Sequence, residues 1–121
     1  METKIKVTGA IILSEELRAF VEKKIGKLAI FLENDPAAIA EVEVGTTSAG
    51  QRTGDVYRAE VHLTFTGGDA YAEAVRENLH AALDQATGEA RRELRKKRGK
   101  NRDLVRRGAA QVKDFFRNFG K

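Results

Sequence analysis

Alternating apolar and polar residues predict three strands in this chain. In TKIKVT (3–8) the isoleucine and valine face one way and the two lysines the other, which is the pattern of a half-buried strand. IAEVEVGT (39–46) and VYRAEVHLTFT (56–66) alternate in the same way. The polar, glycine-containing segment 46–55 has no period, so it predicts a loop between the second and third strands.

Residues 69–77 fit two structures. Their alanines favour a helix that begins at Asp69. The preceding pair Gly67-Gly68 instead favours a tight hairpin turn followed by a returning strand. The alternation within DAYAEAVRE permits that strand, and we predict it over 70–76.

Apolar residues at three- and four-residue spacing predict a first helix between the first two strands. Ser14 is its expected N-cap, and Glu15 and Glu16 follow where the helix dipole favours negative charge. The helix should end near Glu33, because Asn34-Asp35-Pro36 is a turn signal. Its apolar face consists of Leu17, Phe20, Val21, Ile25, Leu28 and Leu32.

A second helix is predicted after the fourth strand, with Asn78 as its cap. Gly88 lies in its interior, where glycine costs about 1 kcal/mol relative to alanine, and Gly99 is expected to end or bend it. The resulting fold is α+β, a β-α-β-β-β-α sandwich with both helices on one face of a four-stranded sheet. The apolar stripe of this helix is Leu79, Ala82, Leu83, Ala86, Ala90 and Leu94.

The chain is expected to form one domain over 1–100, followed by a basic amphipathic tail over 101–121. A second helical pattern lies within the tail, over 102–119. It predicts either an extra helix or a segment that orders on a partner.

The composition of the chain excludes several classes of function, and no motif indicates a catalytic one. The chain has no cysteine, only two histidines and only two serines, and it contains no nucleophile elbow or phosphate-binding glycine loop. We therefore expect no enzyme, no cofactor and no metal site. No signal peptide or membrane span is expected either, so the predicted location is the cytoplasm.

Cations provide the remaining candidate chemistry. The net charge is only +4, but residues 89–107 contain ten lysines or arginines against three acids. One interpretation is a solvated helix face; the other is a surface for a polyanion, since arginine suits bidentate phosphate contact. The candidate cations for such a surface are Lys23, Lys24, Lys27, Arg91, Arg92, Arg95, Lys96, Lys97, Arg98 and Lys100.

The ordered set of motifs over about residues 4–100 resembles one family. These motifs are IKVTG, SEELRAFVEKKIGKL, YRAEVHL and ENLHAALDQATGEARRELRK. They are similar to those of the ribosome hibernation-promoting factors and ribosome-associated inhibitors, also known as sigma-factor modulation proteins. The resemblance implies the β-α-β-β-β-α fold, which is like that of a double-stranded-RNA-binding module, and it places a fourth strand before the second helix.

The resemblance also implies a function. Family members bind the small ribosomal subunit and its ribosomal RNA, occupy the region of messenger and transfer RNAs, and silence translation under stress or in stationary phase. The positions that contact ribosomal RNA in family members correspond to Lys24, Lys27, Arg92 and Lys96 of this chain. The other candidate cations are predicted to contact RNA because of the local charge. No small-molecule substrate and no membrane partner is implied.

The sequence departs from the family at four positions of the second helix. His80 replaces the usual aromatic, Glu89 a usual lysine and Ala90 a usual leucine, while Gly88 is unusual. The residues after Gly99 are too few for the C-terminal dimerisation domain of long members, so the chain resembles the short type.

The residues by themselves are also compatible with two other functions. The first is a general module for structured RNA that is not restricted to ribosomes. The second is a membrane-surface protein that uses the amphipathic segment 102–119.

Overall fold

A computed structural model describes residues 1–47 and 56–107, with side chains described as far as Lys97. The order of elements is β-α-β-β-β-α, as predicted. The parts of the predicted loop and tail that fall in 48–55 and 108–121 lie outside the described residues. The elements are β1 (Glu2–Val7), α1 (Glu15–Ala29) with a 3-10 turn (Ile30–Leu32), β2 (Ile39–Thr46), β3 (Tyr57–Phe65), β4 (Gly68–Arg76) and α2 (Leu79–Arg107).

The four strands form one sheet in the order β1-β2-β3-β4. β1 pairs with β2 in parallel, which α1 makes possible by crossing between them, and the two later pairs are antiparallel. Ala70, Ala72 and Ala74 of β4 are buried beneath α2, whereas Tyr71 and Val75 are exposed. The small alanines allow α2 to lie close to the sheet.

The hairpin between β3 and β4 confirms the strand prediction for 70–76. Gly67 has a φ of 93°, a left-handed conformation that glycine adopts without steric cost. Gly68 already belongs to β4, so the strand begins two residues earlier than predicted. A helix from Asp69 is excluded, because Asp69 pairs with Thr64 in the ladder.

Both helix caps form as predicted. The Ser14 hydroxyl accepts a hydrogen bond from the backbone N–H of Leu17 at 3.1 Å, and the Asn78 side chain accepts one from Ala81 at 2.7 Å. The predicted apolar faces point to the sheet, and Phe20 and Leu79 are partly buried at the edges of the core. The buried residues of α1 and α2 are Leu17, Val21, Ile25, Leu28, Ala82, Leu83, Ala86, Thr87, Ala90 and Leu94.

Gly99 was expected to end or bend the second helix, and the first of these two expectations is wrong. The backbone of α2 continues through Gly99 to Arg107. One glycine costs a helix only about 1 kcal/mol, and the arginines and lysines around it are good helix formers. The helix therefore crosses the predicted division of the chain between residues 100 and 101.

Asp35 joins the turn after α1 to the tip of the β3–β4 hairpin. Its carboxylate accepts hydrogen bonds from the Thr66 backbone N–H at 2.7 Å, from the Thr66 hydroxyl at 2.8 Å and from the Ala37 N–H at 2.9 Å. These contacts fix the end of the molecule where α1 turns towards β2.

Replacing Asp35 by alanine should lower the free energy of unfolding by about 2 kcal/mol, because hydrogen bonds to a charged acceptor are among the stronger ones. Urea denaturation followed by circular dichroism measures the change. Thr66→Val removes only the hydroxyl contact and should cost about 1 kcal/mol. An Asp35→Ala variant no less stable than Thr66→Val would contradict this role.

Candidate nucleic-acid interface

The two helices lie side by side and run in the same direction. Three cross-contacts establish this: Phe20 with His80, Lys24 with Asp84, and Phe31 with Arg91. The partners in each pair are 60 positions apart in the sequence. A constant separation of this kind means that the two helices are parallel and contact each other along their length. We call this line of contacts the inter-helix seam.

Aromatic rings and one ion pair build the seam. The Phe20 and His80 rings meet edge to face at 4.3 Å between centroids. Lys24 lies 5.4 Å from the centre of the Phe20 ring, and its ammonium forms a 2.5 Å ion pair with Asp84. The guanidinium of Arg91 lies 5.6 Å from the Phe31 ring. Such cation–π contacts contribute about 0.5–1 kcal/mol at exposed sites, so these two cations help to hold the helices together.

Lys97 has a separate set of partners. Its ammonium donates to the backbone carbonyl of Asp69 at the start of β4 and lies 3.7 Å from the Glu93 carboxylate, one turn earlier in α2. Lys97 therefore ties α2 to the end of the sheet. Of the predicted cations, Lys24 and Lys97 are the two that have carboxylate partners among the described residues.

The other described cations of the predicted set are exposed. In the described part of the chain, no carboxylate lies within salt-bridge distance of any of these six, and five of the six also have no contact there with an aromatic ring. Their charges are therefore available to a partner. We call these five the free cations: Lys23, Lys27, Arg92, Arg95 and Lys96.

Helical spacing places the free cations on both helices, some at the seam and some on the flank of α2 away from it. Lys27 follows Lys24 by three residues and precedes Phe31 by four, so it lies on the seam side of α1. Arg95 follows Arg91 by four residues and lies on the seam side of α2. Arg92 and Lys96 lie on the other flank of α2. Exposed cations thus lie on both helices, and their contact with RNA stays a prediction.

A short chain of hydrogen bonds lies on the same flank of α2 as Arg92 and Lys96. Gln85 donates to Glu89 at 3.1 Å and accepts from Arg76 at 3.0 Å. Glu89 stands where the family named above usually has a lysine, and its carboxylate accepts this hydrogen bond on the surface of the helix.

Arg98 and Lys100 were also predicted to contact RNA. The α2 backbone passes through both positions. Their side chains lie outside the described residues.

The uncovered face of the sheet has the opposite charge. Acidic residues outnumber basic ones there, and several are joined in a network. Arg58 contacts Glu60 at 2.9 Å and Glu73 at 3.0 Å, while His62 contacts Asp69 at 2.9 Å. The acids on this face are Glu2, Glu41, Glu43, Glu60, Asp69 and Glu73; the bases beside them are Lys4, Lys6 and Arg58.

Hydrogen bonds in this network shift the acidity of its members. The Tyr71 hydroxyl donates to Glu60 and, at 3.1 Å, to Glu73, which raises the pKa of Tyr71 to about 12. The hydrogen bond from Arg58 lowers the pKa of Glu73, and the one with His62 lowers the pKa of Asp69. These carboxylates stay ionised at neutral pH, so the face repels a polyanion while the helix face attracts one.

Other kinds of site have little support among residues 1–47 and 56–107. Among the side chains described, those of residues 1–47 and 56–97, no group of three or more metal-ligating side chains comes together. His62 lies on the uncovered sheet face and His80 on the flank of α2, as expected from the sequence. In the same part of the chain, no helix is long and apolar enough to cross a membrane.

Sequence reasoning missed Asp84 and the two phenylalanines of the seam as partners of the cations. One signal could have found them. Phe20, Lys24, Lys27 and Phe31 share one flank of α1 at four-, three- and four-residue intervals, which indicates a flank packed against something.

Known proteins resemble this chain in sequence and in fold. The family model described as "Sigma 54 modulation protein / S30EA ribosomal protein" matches residues 5–102. The crystal structure of the Protein Y N-terminal domain from Thermus thermophilus superposes with a TM-score of 0.67 at 21% identity, covering 79% of this chain and 98% of that one. A ribosomal subunit interface protein from Coxiella burnetii gives a TM-score of 0.62 at 14% identity, covering 82% and 99%. The structural likeness confirms the predicted fold.

Proposed function

Because this chain belongs to the sigma 54 modulation protein / S30EA ribosomal protein family, we propose that it is a ribosome-binding translation inhibitor. It binds the small subunit, occupies the region used by messenger and transfer RNAs, and promotes ribosome hibernation under stress or in stationary phase. It acts in the cytoplasm by binding alone, with no small-molecule substrate or cofactor.

The observation that carries the proposal is the asymmetry of charge between the two faces. The five free cations lie on the two helices, while carboxylates outnumber basic side chains on the uncovered face of the sheet. A cluster of unpaired cations costs stability through self-repulsion unless a polyanion neutralises it. Ribosomal RNA supplies such a polyanion, and the repulsive sheet face orients the protein so that the helices meet it.

Binding follows from counterion release. Each RNA phosphate that meets a free cation releases condensed counterions, which favours association at low salt. Structured RNA is recognised mainly through its shape and backbone, so a rigid pair of helices suits the task. Once bound, the domain blocks messenger and transfer RNA by occupying their space, and no bond needs to be made or broken.

Sedimentation provides the direct test. Purified protein is mixed with ribosomes or with separated subunits, and the mixtures are run on sucrose gradients. We expect the protein to travel with the small subunit and with whole ribosomes, and to inhibit translation in a cell-free system. An equal affinity for any duplex RNA would favour the general RNA-binding module instead. Protein that stays at the top of every gradient would refute the proposal.

A further inference from the structure

Gly88 lies in the interior of α2, and the fold gives no reason for a glycine there. A Cβ built at this position meets no atom within 4 Å. Alanine would fit, and it would make the helix more stable. Gly88 is itself half-buried, but the space where its side chain would lie is open, and an approaching molecule could use that space to come close to the helix backbone.

The neighbours of Gly88 are cationic on the side towards the end of α2. Residues three, four and seven positions further along a helix lie on the same side of it, and here they are Arg91, Arg92 and Arg95. Across the seam, the constant spacing of 60 positions sets Lys27 level with Thr87, next to Gly88. Gly88 thus has three arginines on the side towards the end of α2, Asp84 with its partner Lys24 one turn earlier, and Lys27 at about its level across the seam.

Gly26 shows that an open glycine is not enough to make such a gap. It also lies within a helix, and a Cβ there also meets nothing within 4 Å. Gly26 precedes Lys27 by one residue, so it is rotated by about 100° around α1 from Lys27, in the direction away from the seam. The residues one turn away from it are Glu22, Lys23, Ala29 and the exposed Ile30, so it has one lysine there where three arginines follow Gly88.

We infer that the ribose–phosphate backbone of RNA crosses α2 at Gly88. This inference rests on the proposed function and adds the place where the chain crosses the helices. The missing side chain lets the RNA approach the helix backbone, so that its phosphates lie between Lys27 on one side and Arg91, Arg92 and Arg95 on the other. Coulomb attraction weakens with distance, so a side chain at position 88 that holds the RNA away would weaken all of these contacts together.

Two substitutions at Gly88 and two matched substitutions at Gly26 test the inference. Gly88→Gln should weaken binding to purified small subunits by about fivefold, and Gly88→Ala by about twofold, because neither removes a charge and each adds bulk in the gap. Gly26→Gln and Gly26→Ala should bind like the wild type. Both alanine variants should raise the melting temperature by about 4 °C, because alanine is the better helix former.

The outcomes separate this inference from the function on which it rests. Weaker binding by a Gly88 variant that melts no lower than the wild type supports the crossing. Unchanged binding by Gly88→Gln, with wild-type protein still bound to ribosomes, overturns the crossing and leaves the proposed function in place. Equal losses at Gly26 and Gly88 overturn it as well, because the effect would then not depend on the seam. Wild-type protein that fails to bind overturns both.

Discussion

Replacing Arg92 and Lys96 by glutamate together is expected to abolish co-sedimentation with ribosomes. Both side chains are exposed, and neither has a carboxylate partner in the described part of the chain. Their removal leaves the fold intact, but it deletes two contacts to phosphate and places two anions where phosphates would lie. Affinity should fall by at least about a hundredfold, and the slope of log affinity against log salt should become shallower by about 1.5.

A matched control separates this local effect from the change in total charge. Lys4→Glu with Lys6→Glu alters the net charge by the same amount, but on the uncovered face of the sheet. That variant should still bind ribosomes. Circular dichroism should show that both proteins are folded. If the Arg92/Lys96 variant still binds and still blocks translation, the basic surface of the two helices is not the interface.

Local patterns were sufficient to predict the arrangement of elements. Each strand carries its own alternation, and each helix carries its own cap, because the Ser14 and Asn78 side chains bond to backbone groups only three residues away. The strand at 70–76 was the difficult case. Its alanines favour helix by propensity, but pairing with β3 and cover by α2 outweigh that preference.

The pairing of cations could not be predicted in the same way. Lys24 and Lys27 are both surface lysines by the sequence pattern, yet Lys24 is paired with Asp84 and Lys27 has no such partner among the described side chains. The difference depends on a contact between residues 60 positions apart, and the spacing within α1 indicates a packed flank without showing which lysine meets a carboxylate. The end of α2 is a second example, because the cost of Gly99 is small enough for its neighbours to overcome.

The pairing of Lys24 leads to the second large expected effect, which is a gain of affinity. Asp84 places a negative charge among the cations of the seam and neutralises Lys24 across 2.5 Å. Its side chain is 54% exposed, and that of Lys24 is 23% exposed. Asp84→Asn removes the anion and frees the lysine for phosphate. Binding to small subunits should strengthen by about tenfold at moderate salt, and the salt dependence should steepen by about 0.7–0.9 in slope.

The loss of stability from this change should be small, since exposed ion pairs contribute at most about 1 kcal/mol. Glu41→Gln on the uncovered sheet face changes the net charge equally and should leave affinity almost unaltered.

A double-mutant comparison identifies Lys24 as the source of the gain. Lys24→Gln alone should hardly change affinity, because its charge is already neutralised by Asp84 in the wild type. The same change made in the Asp84→Asn protein should remove most of the added affinity, because the freed ammonium is then the group that meets phosphate. If Asp84→Asn strengthens binding equally with and without Lys24, the gain comes from lost repulsion alone. If Lys24→Gln weakens the wild type severely, Lys24 contacts RNA despite its pairing with Asp84.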